Sequence, residues 1–138
     1  MPSNFADPRK IEYLTPSELY NFNDQVTDGH TFVRDVNLLH SAAARPSIVL
    51  FGEPQFPTLI DKAGALLHSL AYHHLFADGN KRTAVLAVSE FLRRNGARLT
   101  WDDATQRAFV LEVARGGLDA DQVAAQLAGY MRLLDADS

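Results

Sequence analysis

The chain has 138 residues, 46% hydrophobic and 22% charged, an ordinary composition for a folded domain that excludes a disordered tail or a low-complexity fibre. Thirteen Lys and Arg against seventeen Asp and Glu leave a net charge of −4, whereas a domain that wraps duplex nucleic acid needs cations in excess to neutralise phosphates; nucleic acid is not expected as the direct substrate. There is no cysteine, which excludes a disulfide framework, thiolate zinc sites and thiol catalysis. The N-terminal run Met1-Pro2-Ser3-Asn4-Phe5-Ala6-Asp7 lacks the basic region and apolar stretch of a signal peptide. No apolar run approaches the roughly 20 residues of a membrane span. A soluble, cytoplasmic protein folded as one helical domain over residues 1–138 is the expectation.

In chain order, the first helix opens at Thr15-Pro16-Ser17-Glu18. Thr15 is a capping residue, Pro16 suits a first turn, and Glu18 stands where its carboxylate can reach back to the cap N–H. The apolar pattern runs through Leu19, Phe22, Asn23 and Val26 and stops near Asp28-Gly29. A second helix is predicted over residues 33–44, with Val36, Leu39, His40 and Ala43 on one face and Pro46 as its stop.

Residues 47–57 read differently. Ile48, Val49 and Phe51 favour extended backbone, while Gly52, Pro54 and Pro57 break a helix, so a short β-hairpin or extended flap is predicted.

Thr58 then caps a helix carrying Leu59, Ala63, Leu66, Leu67, Leu70 and Ala71. Another, predicted over residues 82–94, carries Ala84, Val85, Ala87, Val88, Phe91 and Leu92. Both are apolar around more than half their circumference, as befits the centre of a small all-α domain. Asn95-Gly96 ends the second of them, with Arg93 and Arg94 favourably placed in its last turn. A helix over residues 103–114 is closed by Gly116-Gly117. Asp119, with Gln122 in capping-box position, opens a last helix whose inward positions are Val123, Leu127, Met131 and Leu134.

The chemistry concentrates between the two central helices, at His73-His74-Leu75-Phe76-Ala77-Asp78-Gly79-Asn80-Lys81-Arg82-Thr83. A connecting loop needs only turn residues; this one gathers imidazole, carboxylate, amide and two cations just where a helix begins. The N–H groups of Gly79, Asn80, Lys81 and Arg82 fall in that helix's first turn, a place that attracts anions through unpaired donors and the helix dipole. Gly79 permits close approach of a phosphate, and Lys81 and Arg82 add positive charge. Cations at a helix N-terminus oppose the dipole, a conflict that an anionic ligand resolves. Asp78 suits Mg²⁺, which takes its other ligands from waters and phosphates. His74 offers an imidazole that can receive a proton from an incoming hydroxyl. Together these point to transfer of part of a nucleoside triphosphate.

Each residue taken singly has a plainer reading. His74 can be a hydrogen-bonded structural histidine, Lys81-Arg82 a solvated turn, and Phe76 a core anchor that pins the loop, a role it keeps in either case. His74 and Asp78 could share a transition metal, though no third or fourth ligand is evident nearby. The second glycine and following Lys-Ser/Thr of a P-loop are missing. His30, His40, His68 and His73 read as structural, and Trp101 and Tyr130 as packing residues.

The run His74-Leu75-Phe76-Ala77-Asp78-Gly79-Asn80-Lys81-Arg82 resembles the Fic/Doc family, and within it the death-on-curing (Doc-type) toxins. The family motif is His-x-Phe-x-(Asp/Glu/Asn)-(Gly/Ala)-Asn-(Gly/Lys)-Arg, and every fixed position is filled. Leu14-Thr15-Pro16, Leu39-His40-Ser41-Ala42 through Pro46, Phe56-Pro57-Thr58-Leu59 and Phe91-Leu92-Arg93-Arg94-Asn95-Gly96 extend the likeness over residues 11–134. The resemblance implies a single Fic/Doc-type helical bundle with a short hairpin flap. It makes His74 the general base, Asp78 the Mg²⁺ ligand, and Gly79, Asn80, Lys81 and Arg82 the anion-binding loop, with Asn80 also holding the loop's shape. It makes residues 47–57 a flap, with Ile48, Val49, Leu50, Phe51 and Phe56, that docks the target protein as an added strand.

Two departures bear on the reaction. Adenylyltransferases of the family usually have Gly where Lys81 stands and a second Arg where this chain has Val85; that Arg holds the terminal phosphate so that the α-phosphate is attacked. Doc-type proteins share both departures and bind the triphosphate inverted, with the γ-phosphate facing the hydroxyl. The resemblance therefore implies a protein Ser/Thr kinase using ATP and Mg²⁺, with a threonine of elongation factor Tu as the family's target and a block of translation as the outcome. Transfer of AMP to a protein hydroxyl is the alternative within enzymes, and a non-catalytic anion- or partner-binding module the alternative outside them. The (Ser/Thr)-x-x-x-Glu-(Gly/Asn) motif of the family's inhibitory helix has no match, so control in trans by a small antitoxin is expected.

Overall fold

A computed structural model describes residues 10–134; the Met1–Asp7 run lies outside them. Among the described residues there are six helices: α1 (Pro16–Val26), α2 (Val36–Ala44), α3 (Leu59–Tyr72), α4 (Asn80–Arg94), α5 (Asp103–Ala114) and α6 (Ala120–Ala128). A 3-10 turn (Arg45–Ser47) follows α2. Strands β1 (Val49–Leu50) and β2 (Glu53–Pro54) form one antiparallel pair, β3 (Ala97–Leu99) and β4 (Met131–Leu133) another.

The helices begin where the caps predict. Thr15 with Glu18, Thr58 with Asp61 and Asp119 with Gln122 form reciprocal capping boxes, and Asp35 and Asp102 accept from Leu38 N–H and Thr105 N–H. Each such cap contributes about 1 kcal/mol. Helix α3 is the hub: from Leu59 to Ala71 nearly every side chain is buried, against α4, α5, α6 and the 3-10 turn. Gly64 is what lets α6 come so close, since a Cβ there would lie 2.7 Å from Ala124 Cβ. Leu66, Leu67, Leu70, Phe76, Val88, Phe91 and Leu127, each 1% exposed or less, fill the core, each large side chain worth about 1.5–3 kcal/mol in buried area.

Three boundaries differ from expectation, each for a tertiary reason. Helix α2 starts at Val36, not Val33, because residues 32–34 are drawn into extended pairing with the motif loop: Arg34 N–H donates to Leu75 C=O at 2.7 Å and Ala77 N–H to Phe32 C=O at 2.9 Å. Helix α4 starts at Asn80, two residues before Arg82, because Gly79 adopts a left-handed φ of 75° and turns the chain directly into the helix. The last helix stops at Ala128. Met131 is half-buried in β4, paired with Leu99, and Leu134 is exposed rather than inward-facing. Their spacing continues the helical period of Val123 and Leu127, but the backbone is extended to supply β3 with a partner.

The flap is a hairpin. Val49 pairs with Pro54 and Leu50 with Glu53, leaving Phe51 and Gly52 as the turn. Both have positive φ, 53° and 79°, the type I′ geometry that suits hairpin twist and usually takes Asn-Gly. At its base the ammonium of Lys62, 2% exposed, donates to the carbonyls of Pro46 (3.1 Å) and Phe56 (2.7 Å). Burial lowers the Lys62 pKa.

Candidate active site

The loop is built from the end of one hub helix to the start of the next. Helix α3 ends at Tyr72, His73 caps it, and His74 then takes a left-handed φ of 49°. That is the conformation glycine usually supplies just past a helix end; a non-glycine residue there carries strain on the order of 1 kcal/mol. The strain turns the chain so that Leu75 and Phe76, both fully buried, drop into the core while the His74 side chain stays at the surface. Phe76 is thus the anchor the sequence suggests.

Asn80 holds the loop closed. Its Oδ1 accepts from Phe76 N–H at 3.1 Å and its Nδ2 donates to Phe76 C=O at 2.9 Å, so one side-chain amide satisfies both backbone polar groups of Phe76. Asp78 Oδ1 accepts from Gly79 N–H at 2.8 Å, and its side chain is 79% exposed. The first backbone bond of α4 runs from Thr83 N–H to Gly79 C=O. The N–H groups of Asn80, Lys81 and Arg82 therefore have no partner among the described residues, and no side chain caps this end. Lys81 and Arg82 are exposed around it.

Arg82 has a second attachment: its guanidinium donates to Val26 C=O at 2.6 Å, one of the open carbonyls at the C-terminus of α1, and lies 3.9 Å from Asp78. Its conflict with the α4 dipole is thus partly offset by the α1 dipole, and Lys81 is the cation that has only the unfavourable end. Gly79 packs against α1 as well; a Cβ would sit 3.1 Å from both Val26 and Thr27 side chains.

The hairpin presents Ile48, Val49, Leu50 and Phe51 to solvent, Phe51 wholly so. Phe56 departs from the expectation that groups it with them. It is 6% exposed, packed with Ala65 and Ala120 and beneath the Arg45 guanidinium, so it anchors the flap's base and offers no docking surface.

The Fic/DOC family model matches residues 13–92. The chain belongs to the Fic/DOC family. Toxin Doc of Mycolicibacterium smegmatis is 44% identical over 121 residues, which is 86% of this chain and 93% of that protein. The span matched by the family model runs from before α1 through most of α4 and so holds both the hairpin and the motif loop.

For a member of this family the loop is supported from places that short-range spacing does not indicate. Asn23, 1% exposed on α1, donates to Asp78 C=O at 2.8 Å and to Thr83 Oγ1 at 3.0 Å, tying the turn before α4 to α1. Its Oδ1 is buried without a partner among the described residues, a cost of about 1–3 kcal/mol carried for the sake of those two bonds. The signal was available: Asn23 is a polar residue in an otherwise apolar inward stripe. Residues 32–34 also support the loop, and nothing in their own sequence marks them. Beside the site, His68 and His73 form an aromatic cluster with Tyr72, and Arg45 bonds to His68 Nδ1 at 2.9 Å and Ser69 at 3.1 Å. Burial, then the Arg45 charge, lowers the pKa of both histidines.

Proposed function

We propose that this chain is a Doc-type toxin that phosphorylates a Ser or Thr hydroxyl of a target protein, using ATP and Mg²⁺. The observation that carries the reading is the open N-terminus of α4, with three unpartnered N–H groups among the described residues and Lys81, directly after the loop that carries His74 and Asp78. Such an end is complementary to a polyphosphate. The likeness to Toxin Doc of Mycolicibacterium smegmatis supports the toxin role, control by a small antitoxin in trans, and action in the cytoplasm. Elongation factor Tu, the family's target, is the protein to try first.

In the reaction the target hydroxyl oxygen bonds to the γ-phosphorus as the bond from that phosphorus to the ADP oxygen breaks, and the hydroxyl proton passes to His74. The loop N–H groups and Lys81 hold the phosphates and stabilise charge on the transferring group. Asp78 fits a magnesium ion: its carboxylate is exposed, Oδ1 alone accepts a protein hydrogen bond, and no cluster of three protein ligands surrounds it among the described residues, a donor set suited to an ion that keeps waters and phosphate oxygens. Bound there, Mg²⁺ would neutralise phosphate charge. The exposed Val49-Leu50 strand offers an edge to which a target segment can add, placing its hydroxyl near the loop. Lys81 and Val85, in place of the Gly and Arg usual in adenylyltransferases of the family, favour phosphoryl over AMP transfer.

The test is incubation with γ-labelled and, separately, α-labelled ATP, Mg²⁺ and a bacterial lysate, with His74→Ala as control. A band at the mass of elongation factor Tu from the γ-label alone, reduced about 10²–10⁴-fold in the variant, is the expected result. Label from the α-labelled nucleotide alone would replace phosphorylation by AMP transfer, since the γ-phosphate then leaves in pyrophosphate. No His74-dependent label, in that lysate or with purified elongation factor Tu, would leave a binding module.

A further inference from the structure

A target strand laid along the flap presents its side chains to whatever lies at the flap's root. On the reading that a target segment adds to the Val49-Leu50 edge, we infer that the cavity at that root is a specificity pocket for an acidic side chain of the segment, with Arg45 as its receptor. The cavity, of about 290 Å³, lies between α2 and the end of α3 and counts Ile48 and His73 among its walls. Ile48 is the residue before β1, and His73 the residue before His74. The pocket therefore adjoins both the docking edge and the base.

The walls call for an anion. Arg45 is half-buried, and its Nη1 spends both N–H groups on His68 Nδ1 at 2.9 Å and Ser69 Oγ at 3.1 Å. Its guanidinium also lies over the Phe56 ring. One edge and one face are thus held, while the three N–H donors of Nε and Nη2 have no partner among the described residues. That free edge is one that receives a carboxylate through two parallel bonds. His68 Nδ1 accepts from a group that only donates, so the ring beside Arg45 is neutral. No Asp or Glu lines the cavity. Arg82, Arg93 and Arg94 each have a carboxylate partner, whereas Arg45 is in no ion pair among the described residues. Burial lowers its pKa, and the charge of Asp121 raises it without forming such a pair. A carboxylate brought in by the target supplies the missing countercharge.

The geometry limits where that acid stands. Side chains of an added strand alternate between its faces and rise about 3.3 Å per residue. Since His73 and His74 are consecutive, the acid belongs within about four residues of the acceptor hydroxyl, ~13 Å of strand. The pocket thus selects among the Ser and Thr residues of a target by a neighbour of the hydroxyl.

Steady-state labelling from γ-labelled ATP tests this on the protein that is labelled in the lysate. Each Asp or Glu within about four residues of its modified hydroxyl is replaced by Asn or Gln. One such replacement should raise the KM for the target about tenfold and leave kcat within about twofold. Arg45→Gln should do the same. Ser41, exposed on α2 and in the cavity wall, gives a pair of variants that spare the interior and decide the matter if Arg45→Gln fails to fold. Ser41→Glu should raise KM about tenfold and Ser41→Lys should lower it, and neither should move it for the neutralised target. Shifts of the same sign in both Ser41 variants, a modified hydroxyl with no acid in that span, or an unchanged KM with every such acid neutralised would overturn the pocket and leave the proposed function standing. Absence of His74-dependent label in any protein would overturn both.

Discussion

Helix α4 carries a pair of adjacent basic residues at each end, and the two pairs are treated in opposite ways. At the C-terminus Arg93 and Arg94 sit where the helix dipole favours cations, and both are tied down: Arg93 to Glu90 at 2.7 Å, Arg94 to Glu90 at 2.9 Å and to Glu18 of α1. At the N-terminus Lys81 and Arg82 oppose the dipole and three N–H groups lack partners; among the described residues the only side-chain attachments of this pair are those of Arg82 to Val26 and, more loosely, Asp78. The other five helices close their N-termini with a Thr or Asp side chain. One end of α4 is therefore a joint and the other a receptor, and the same residue types serve both because the dipole reverses their meaning.

Substitutions at the two ends should move stability in opposite directions. The largest effect belongs to the joint. Arg94→Ala leaves the half-buried Glu18 without a cation and Glu90 with Arg93 alone, and should cost about 2 kcal/mol in denaturant unfolding. The same joint fixes an acid limb. Bonds to Arg93 and Arg94 lower the Glu90 pKa from 4.5 to about 2, and the bond to Arg94 lowers that of Glu18. Between those values the unfolded chain binds more protons than the folded one, so the stabilisation is complete above pH 4.5 and is lost as pH falls toward 2. Melting temperature followed over that window should fall less steeply in Arg94→Ala; an unchanged slope would mean that these pairs do not couple to folding.

A smaller effect tests the strain at the head of the loop. With φ positive at His74, His74→Gly should be more stable than His74→Ala by about 1 kcal/mol, although both lack the imidazole; equal stability would show that the backbone relaxes once the ring is gone. The smallest expected change is a gain. Lys81→Glu places a carboxylate in the first turn of α4 and should stabilise the ligand-free protein by about 0.3–1 kcal/mol, while tripolyphosphate should cease to raise its melting temperature. A loss of stability would mean that Lys81 is structural.

The division between what could be read in the chain and what could not follows the range of the interactions. Caps depend on residues three apart, so Thr15, Thr58 and Asp119 announced their helices, and Gly52, Pro54 and Pro57 among extended-favouring residues announced the hairpin, although Phe51, read as extended, lies in its turn. The nine residues from His74 to Arg82 could be read because they carry their own chemistry. What escaped depends on partners far along the chain. Asn23 meets Asp78 and Thr83 across α1 and α4; residues 32–34 leave a helical pattern to pair with 75–77; β3 and β4 are three-residue strands whose register joins Leu99 to Met131. Lys62 escaped for a different reason: a lysine inside the core runs against what its type ordinarily does, whereas Phe56 is buried as phenylalanines ordinarily are and was misplaced only by its grouping with the exposed residues of the flap.

Strands of two residues are too short to hold a hairpin together unaided, and a chain without cysteine has no covalent means of closing its base. Lys62 supplies a reversible one. By bonding the carbonyls of Pro46 and Phe56 at once, its ammonium acts as a clasp between the two ends of the flap, its bonds offsetting in the folded state the loop-closure entropy that a cross-link would remove from the unfolded chain. The hairpin beyond the clasp is then a short arm fixed at its root, with Phe51 wholly exposed at its tip.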